Sequence, residues 1–121
     1  MEVLILLIED NDTIRENIEE ILTLENFKVI TANNGITGVA LAKKYLPDLI
    51  ICDILMSGLD GYEVLTQLKN DPQIPSIPVI FSTSKFENSD KERALALGVK
   101  RYLVKPFDLP TLMECINDCF P

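Results

Sequence analysis

Five short apolar runs, each cut off by polar loop residues and followed by a segment with helical spacing, constrain this chain more than any other feature. Val3 to Ile8 is continuously apolar and stops at Glu9-Asp10-Asn11-Asp12. Phe27 to Thr31, Leu49 to Cys52, Val79 to Phe81 and Tyr102 to Val104 repeat the theme. Uninterrupted apolar runs suit strands covered on both faces, the situation of a parallel sheet. Between the runs, Ile14, Ile18, Ile21 and Leu22 share one helical stripe, as do Val64, Leu65 and Leu68 behind Gly61. Ile36 to Tyr45 is a weaker helix. Leu109, Leu112, Met113, Ile116 and Phe120 stripe a last one. Such alternation predicts an α/β fold: a parallel sheet, helices on both faces and right-handed crossovers. Residues 1–121 make one domain of ordinary size, and no output domain is expected within them.

Helix boundaries are marked by cap signals. Thr13 with Glu16 matches a capping box for the first helix, and Asp12 is another candidate cap. Asn33-Asn34-Gly35 is a turn, and Pro47 stops the second helix. The third helix should end near Asn70 to Pro72. Ser89 with Glu92 matches a second capping box, for a helix that Gly98 would terminate. Asp108 should cap the last helix, with Pro110 in its first turn.

Composition removes several functions. The net charge of −8 opposes binding to nucleic acid phosphate or anionic lipid, so neither nucleic acid nor membrane is an expected partner. No apolar run approaches membrane-spanning length and no signal-peptide pattern follows Met1, which points to the cytoplasm. Three cysteines, an odd number, do not suggest a disulfide framework; Cys52, Cys115 and Cys119 read as packing residues. The chain has no histidine, so any phosphohistidine in its chemistry belongs to another molecule.

The third strand ends in Asp53, and Ser57, Gly58, Asp60 and Gly61 form the loop behind it. Taken alone, Asp53 is a solvated strand end as readily as a working group. Its companions change the balance. Glu9 and Asp10 follow the first strand, Thr83 ends the fourth and Lys105 closes the fifth. Parallel strands put all these ends on one edge of the sheet, where open α/β sheets bind ligands. Clustered carboxylates repel one another unless a cation sits among them, and hard oxygen ligands suit Mg²⁺. A carboxylate is a nucleophile toward phosphorus. Phosphoryl transfer needs charge neutralisation and positioning, which a metal ion, Lys105 and the Thr83 hydroxyl would supply.

These residues resemble the receiver domain of two-component response regulators, the CheY-like family. The likeness runs over essentially the whole chain: Ile8-Glu9-Asp10-Asn11, Asp53 with Gly58 and Gly61, Thr83, and Tyr102-Leu103-Val104-Lys105-Pro106-Phe107. It implies a flavodoxin-like (βα)5 sheet of order 2-1-3-4-5. It also implies that Asp53 is the phosphoacceptor. Asp10, Asp53 and the Leu55 carbonyl would hold Mg²⁺, with Glu9 acting through water. Thr83 and Tyr102 would form a switch pair, Lys105 would pair with the phosphate, and Pro106 would be cis. The implied partners are a sensor histidine kinase or histidine phosphotransfer protein, and a protein target on the face of helix 4, strand 5 and helix 5. Lys85, Phe86, Lys91, Arg101 and Tyr102 are the expected contacts there, and a phosphorylation-dependent homodimer is a further expectation. The chain departs from the family in carrying Ser57 where proline is usual.

Two other readings share parts of this set. A haloacid-dehalogenase-type phosphohydrolase also uses a nucleophilic Asp, Mg²⁺, a hydroxyl and a Lys. It needs a second Asp two residues on, where this chain has Leu55. A flavin module of the same fold class would want hydroxyls and free N–H groups after strand one, where this chain is acidic. The expectation is therefore a regulatory phosphoacceptor rather than an enzyme.

Overall fold

The computed structural model describes residues 2–84 and 88–120. Five strands, β1 (Leu4–Ile8), β2 (Lys28–Ala32), β3 (Leu49–Asp53), β4 (Val79–Thr83) and β5 (Arg101–Val104), alternate with five helices. The helices are α1 (Asp12–Leu24), α2 (Gly35–Tyr45), α3 (Gly61–Asn70), α4 (Asn88–Ala96) and α5 (Leu109–Asp118). All strand pairs are parallel and the sheet order is β2-β1-β3-β4-β5. The fold class and the helices on both faces are as the sequence predicts, and the strand order is the one the family resemblance implies.

Alternation along the central strands divides the core. Ile5, Leu7, Leu49, Ile51, Ile80 and Leu103 face one side, where Ile18 and Leu22 of α1 and Leu112 and Ile116 of α5 cover them. Leu6, Ile8, Ile50, Cys52 and Phe81 face the other, under Val64, Leu65 and Leu68 of α3 and Ala94 of α4. Burial on both faces is why these strands read as unbroken apolar runs. Cys52, Cys115 and Cys119 are all buried, as packing residues should be.

Local signals set most of the helix ends. Asp108 caps α5, its side chain accepting from the Thr111 N–H at 2.8 Å, with Pro110 in the first turn. Asn34 caps α2 in the same way. Pro47 biases its predecessor away from the helical region. Leu46, the C-cap of α2, is left-handed at φ 48°, which ends the helix. Gly98 ends the α4 segment at φ +94°, a conformation suited to glycine.

The start of α1 differs from expectation. Its cap is Asn11, whose Oδ1 accepts from the Ile14 N–H at 2.9 Å, and not Thr13 or Asp12. Asn11 is the extended residue at the turn out of the strand, and Asp12 is already helical and pairs instead with Arg15. The helix of Ser89 and Glu92 runs from Asn88, so Ser89 lies in its first turn rather than ahead of it.

Candidate functional site

Four of the five predicted residues meet in one cleft of about 600 Å³ at the carboxyl edge of the sheet: Glu9, Asp10, Asp53 and Lys105, with the Leu55 residue at its wall. Asp53 is the last residue of β3, pinned between β1 and β4, and only 5% exposed. Glu9 follows β1 and is 1% exposed, its N–H donating to the Ala32 carbonyl at 3.0 Å. Asp10 is exposed. One carboxylate oxygen from each of these acids lies within 4.8 Å of the others.

Lys105 closes the cluster from β5. Its register is fixed by a hydrogen bond from its N–H to the Thr83 carbonyl at 2.8 Å. Its ammonium donates to Glu9 Oε1 and stands 3.3 Å from Asp53 Oδ2. The Lys105–Pro106 peptide is cis, as expected. The other Glu9 oxygen accepts from the Asn11 N–H at 3.1 Å.

These contacts push the two buried acids apart. Burial drives the Asp53 carboxyl up to about 6; the Lys105 charge opposes this and the neighbouring Glu9 charge adds to it. Burial also raises Glu9, but its bonds from Lys105 and from the Asn11 N–H outweigh that and hold it below the ordinary carboxylate range. The result is a buried Asp53 that shares one cation with a more strongly held Glu9.

The loop behind Asp53 is tightly closed despite Ser57. Gly58 turns the chain at φ +77°, and the Gly61 N–H donates to the Ile54 carbonyl at 2.9 Å. A Cβ on Gly61 would stand 2.8 Å from the Asp53 carbonyl oxygen, so the close approach of α3 to the strand end requires glycine. Asp60 then caps α3 in a reciprocal capping box with Glu63.

Thr83, at the end of β4, borders the space next to the acidic cleft. It is buried and lines an adjacent cavity of about 240 Å³ together with Tyr102, Tyr62 and Arg93. Leu55 borders both spaces. The registers Phe81↔Tyr102 and Thr83↔Val104 put Tyr102 one strand over from Thr83 on the same face of the sheet. Tyr102 is half-buried against the core on that side.

The decisive comparison is with the response regulator receiver domain family, whose sequence profile matches residues 5–117. The chain is a response regulator receiver domain. Among relatives, it is 38% identical to protein PilH of Pseudomonas aeruginosa over 93% of each chain. It is 31% identical to the polar-differentiation response regulator DivK of Brucella anthropi, covering 93% of this chain and 92% of that one. It also matches the probable transcriptional regulator ycf29 of Pyropia yezoensis at 40% identity over 94% of this chain, but spans only 51% of that protein's length. Among solved structures, chemotaxis protein CheY4 of Vibrio cholerae superposes with a TM-score of 0.92 at 27% identity, over 99% of this chain and all of that one.

As a receiver domain the chain is a two-component signalling module with a phosphoacceptor role. Receiver domains bind Mg²⁺ at an acidic pocket, and the donor set here fits one: hard carboxylate oxygens, close together, in an open cleft with room for water. Among the described residues no helix is long and apolar enough to cross a membrane.

Three contributors were not singled out in the sequence. Arg15, on α1, donates to the Glu9 carbonyl; its signal is an isolated arginine in the first turns of an acidic helix. Tyr62 and Arg93 join α3 to α4. The Tyr62 hydroxyl donates to the Asp90 carbonyl at 3.2 Å, and the Arg93 guanidinium lies 4.0 Å from the Tyr62 ring centroid. No local pattern announces that pair, because it forms only across the packed helices.

Proposed function

We propose that Asp53 accepts the phosphoryl group. The observation that carries this reading is the position of Asp53: a nearly buried strand-end carboxylate 3.3 Å from the Lys105 ammonium, clustered with Glu9 and Asp10. An Asp53 oxygen attacks phosphorus, the new P–O bond forms, and the bond from phosphorus to the donor's imidazole nitrogen breaks. The donor is a sensor histidine kinase or histidine phosphotransfer protein, since this chain has no histidine of its own.

Asp10, Asp53 and the Leu55 carbonyl would hold Mg²⁺ directly, and Glu9 would do so through water. The ion would neutralise phosphoryl charge that the carboxylates otherwise repel. Lys105 orients the phosphoryl oxygens and ties them to β5. Thr83, next to the site at the end of β4, would donate its hydroxyl to the modified Asp53, and Tyr102 would repack toward the space it leaves.

Such a change alters the face made by α4, β5 and α5, where a protein target or a second phosphorylated copy would bind. Lys91, Arg101 and Tyr102 are contact candidates there; Lys85 and Phe86 lie outside the described residues. Arg101 is ion-paired with Asp118 of α5 within the chain, so a partner must meet that pair rather than a lone guanidinium. The role is regulatory, and the chemistry is limited to self-catalysed transfer and dephosphorylation. Because the chain spans about half of the ycf29 relative, the output of a whole protein is part of this proposal.

The test is labelling with acetyl phosphate, read by intact mass. One phosphoryl group is expected with Mg²⁺. Labelling that persists in Asp53→Asn, or in excess EDTA, would overturn the assignment.

A further inference from the structure

The connection from β1 to α1 carries two of the three clustered acids on only Glu9, Asp10 and Asn11. The Glu9 N–H makes the last rung to Ala32, and the Glu9 side chain is held by Asn11 and Lys105. The Glu9 carbonyl accepts from Arg15 Nη1 at 3.0 Å. Arg15 Nη2 reaches Asp12 Oδ1 at 2.7 Å, so the planar fork is anchored at both ends. The Arg15 side chain is only 15% exposed, little for a guanidinium on a surface helix.

The oxygen that Arg15 holds belongs to the peptide plane between Glu9 and Asp10. Fixing that plane fixes the Asp10 N–Cα bond, and with it the Cα that carries the exposed Asp10 carboxylate, whose oxygen lies within 4.8 Å of one on Asp53. We propose that Arg15 is a positioning residue for the divalent cation: through the Glu9 carbonyl it aims the Glu9–Asp10 pair into the cluster. This rests on the reading of the cluster as a Mg²⁺ site.

Plain electrostatics predicts the opposite effect. A positive guanidinium beside a cation site repels the cation, so its removal by itself would tighten binding. A simple i,i+3 ion pair with Asp12 predicts a small change in helix stability and none in the metal. Only a positioning role makes Mg²⁺ binding weaker when Arg15 is lost.

The experiment titrates Mg²⁺ into wild type, Arg15→Gln and Arg15→Lys, read by calorimetry and by the amide NMR shifts of Asp10 and Asp53. Thermal midpoints without Mg²⁺ report folding separately. Arg15→Gln is expected to weaken Mg²⁺ by about tenfold, the usual scale for groups that orient metal ligands. Arg15→Lys keeps the charge and a donor but loses the planar fork that spans Glu9 and Asp12, so it should fall between Arg15→Gln and wild type. Unchanged or tighter binding in Arg15→Gln would overturn the proposal. If Arg15→Gln does not fold, Arg15→Lys is read alone, and affinity equal to or above wild type refutes it. Wild type that fails to bind Mg²⁺ would instead refute the metal assignment beneath it.

Discussion

The Lys105 ammonium is hydrogen-bonded to Glu9 and ion-paired with Asp53 at 3.3 Å, so one cation bridges the two buried acids of the cluster. A divalent ion entering the cleft therefore competes with Lys105 for carboxylate charge. In the proposed reaction the same ammonium would also leave Glu9 to meet a phosphoryl group on Asp53.

Lys105→Ala should consequently bind Mg²⁺ more tightly than wild type, by about three- to tenfold, because the competitor is gone. It should still accept phosphate from acetyl phosphate, since Asp53 and the metal ligands remain. It should signal poorly, because the link from phosphate to β5 is lost. Calorimetric Mg²⁺ titration and target binding by the phosphorylated variant check both halves. Weaker Mg²⁺ binding, or full-strength target binding, would show that the bridge has been misread.

Asp53 bears on stability with a definite sign. Its folded-state carboxyl is raised from 3.8 to about 6, so the folded protein binds more protons than the unfolded chain between those values. Its ionisation thus opposes folding above pH 6, and that opposition fades as pH falls toward 4. Glu9 is shifted the other way and favours folding when ionised. Asp53→Asn should therefore stabilise the metal-free protein by about 1–2 kcal/mol at pH 7.5, with the gain lost near pH 4. Mg²⁺ should raise the wild-type midpoint and do much less for the variant, which lacks one ligand. Thermal unfolding at several pH values, with and without Mg²⁺, decides it; a gain independent of pH would contradict the burial argument.

The Tyr62 hydroxyl donates to the Asp90 carbonyl in the first turn of α4. Tyr62→Phe should lose about 0.5–1.5 kcal/mol, the net worth of such a bond. Arg93→Ala should lose about 0.5–1 kcal/mol with the stacked guanidinium. Because Tyr62→Phe keeps the ring on which Arg93 stacks, the two losses should add to within about 0.5 kcal/mol in a denaturant double-mutant cycle. A larger departure would mean that the hydroxyl contact and the stack act as a unit.

Thr83 and Tyr102 border one cavity, so their proposed coupling has a direct test. Beryllofluoride, a phosphoryl mimic, should shift wild-type amide signals widely over residues 88–107. Thr83→Ala should bind the mimic at Asp53 yet lose most shifts beyond the cleft. Retention of the full pattern would rule out Thr83 as the route by which the modification reaches β5.

The sequence alone determined the alternation of elements and the residues at each strand end. Unbroken apolar runs such as Leu49–Cys52 can be satisfied only by strands covered on both faces, and parallel strands carry Glu9, Asp53 and Lys105 to one edge whatever the details. Asp108, Pro110 and Gly98 could be read because capping is local chemistry. Tertiary structure decided the rest. Which residue capped α1 depended on the angle at which the chain leaves β1, and Asn11 rather than Thr13 sat at the extended position. Which cavity Thr83 borders was also a tertiary matter, and it lines one with Tyr102. Arg15 reaching Glu9 depended on how the short turn out of β1 folds against the start of α1. Tyr62 reaching Asp90 depended on two helices packing side by side, where distance along the chain carries no information.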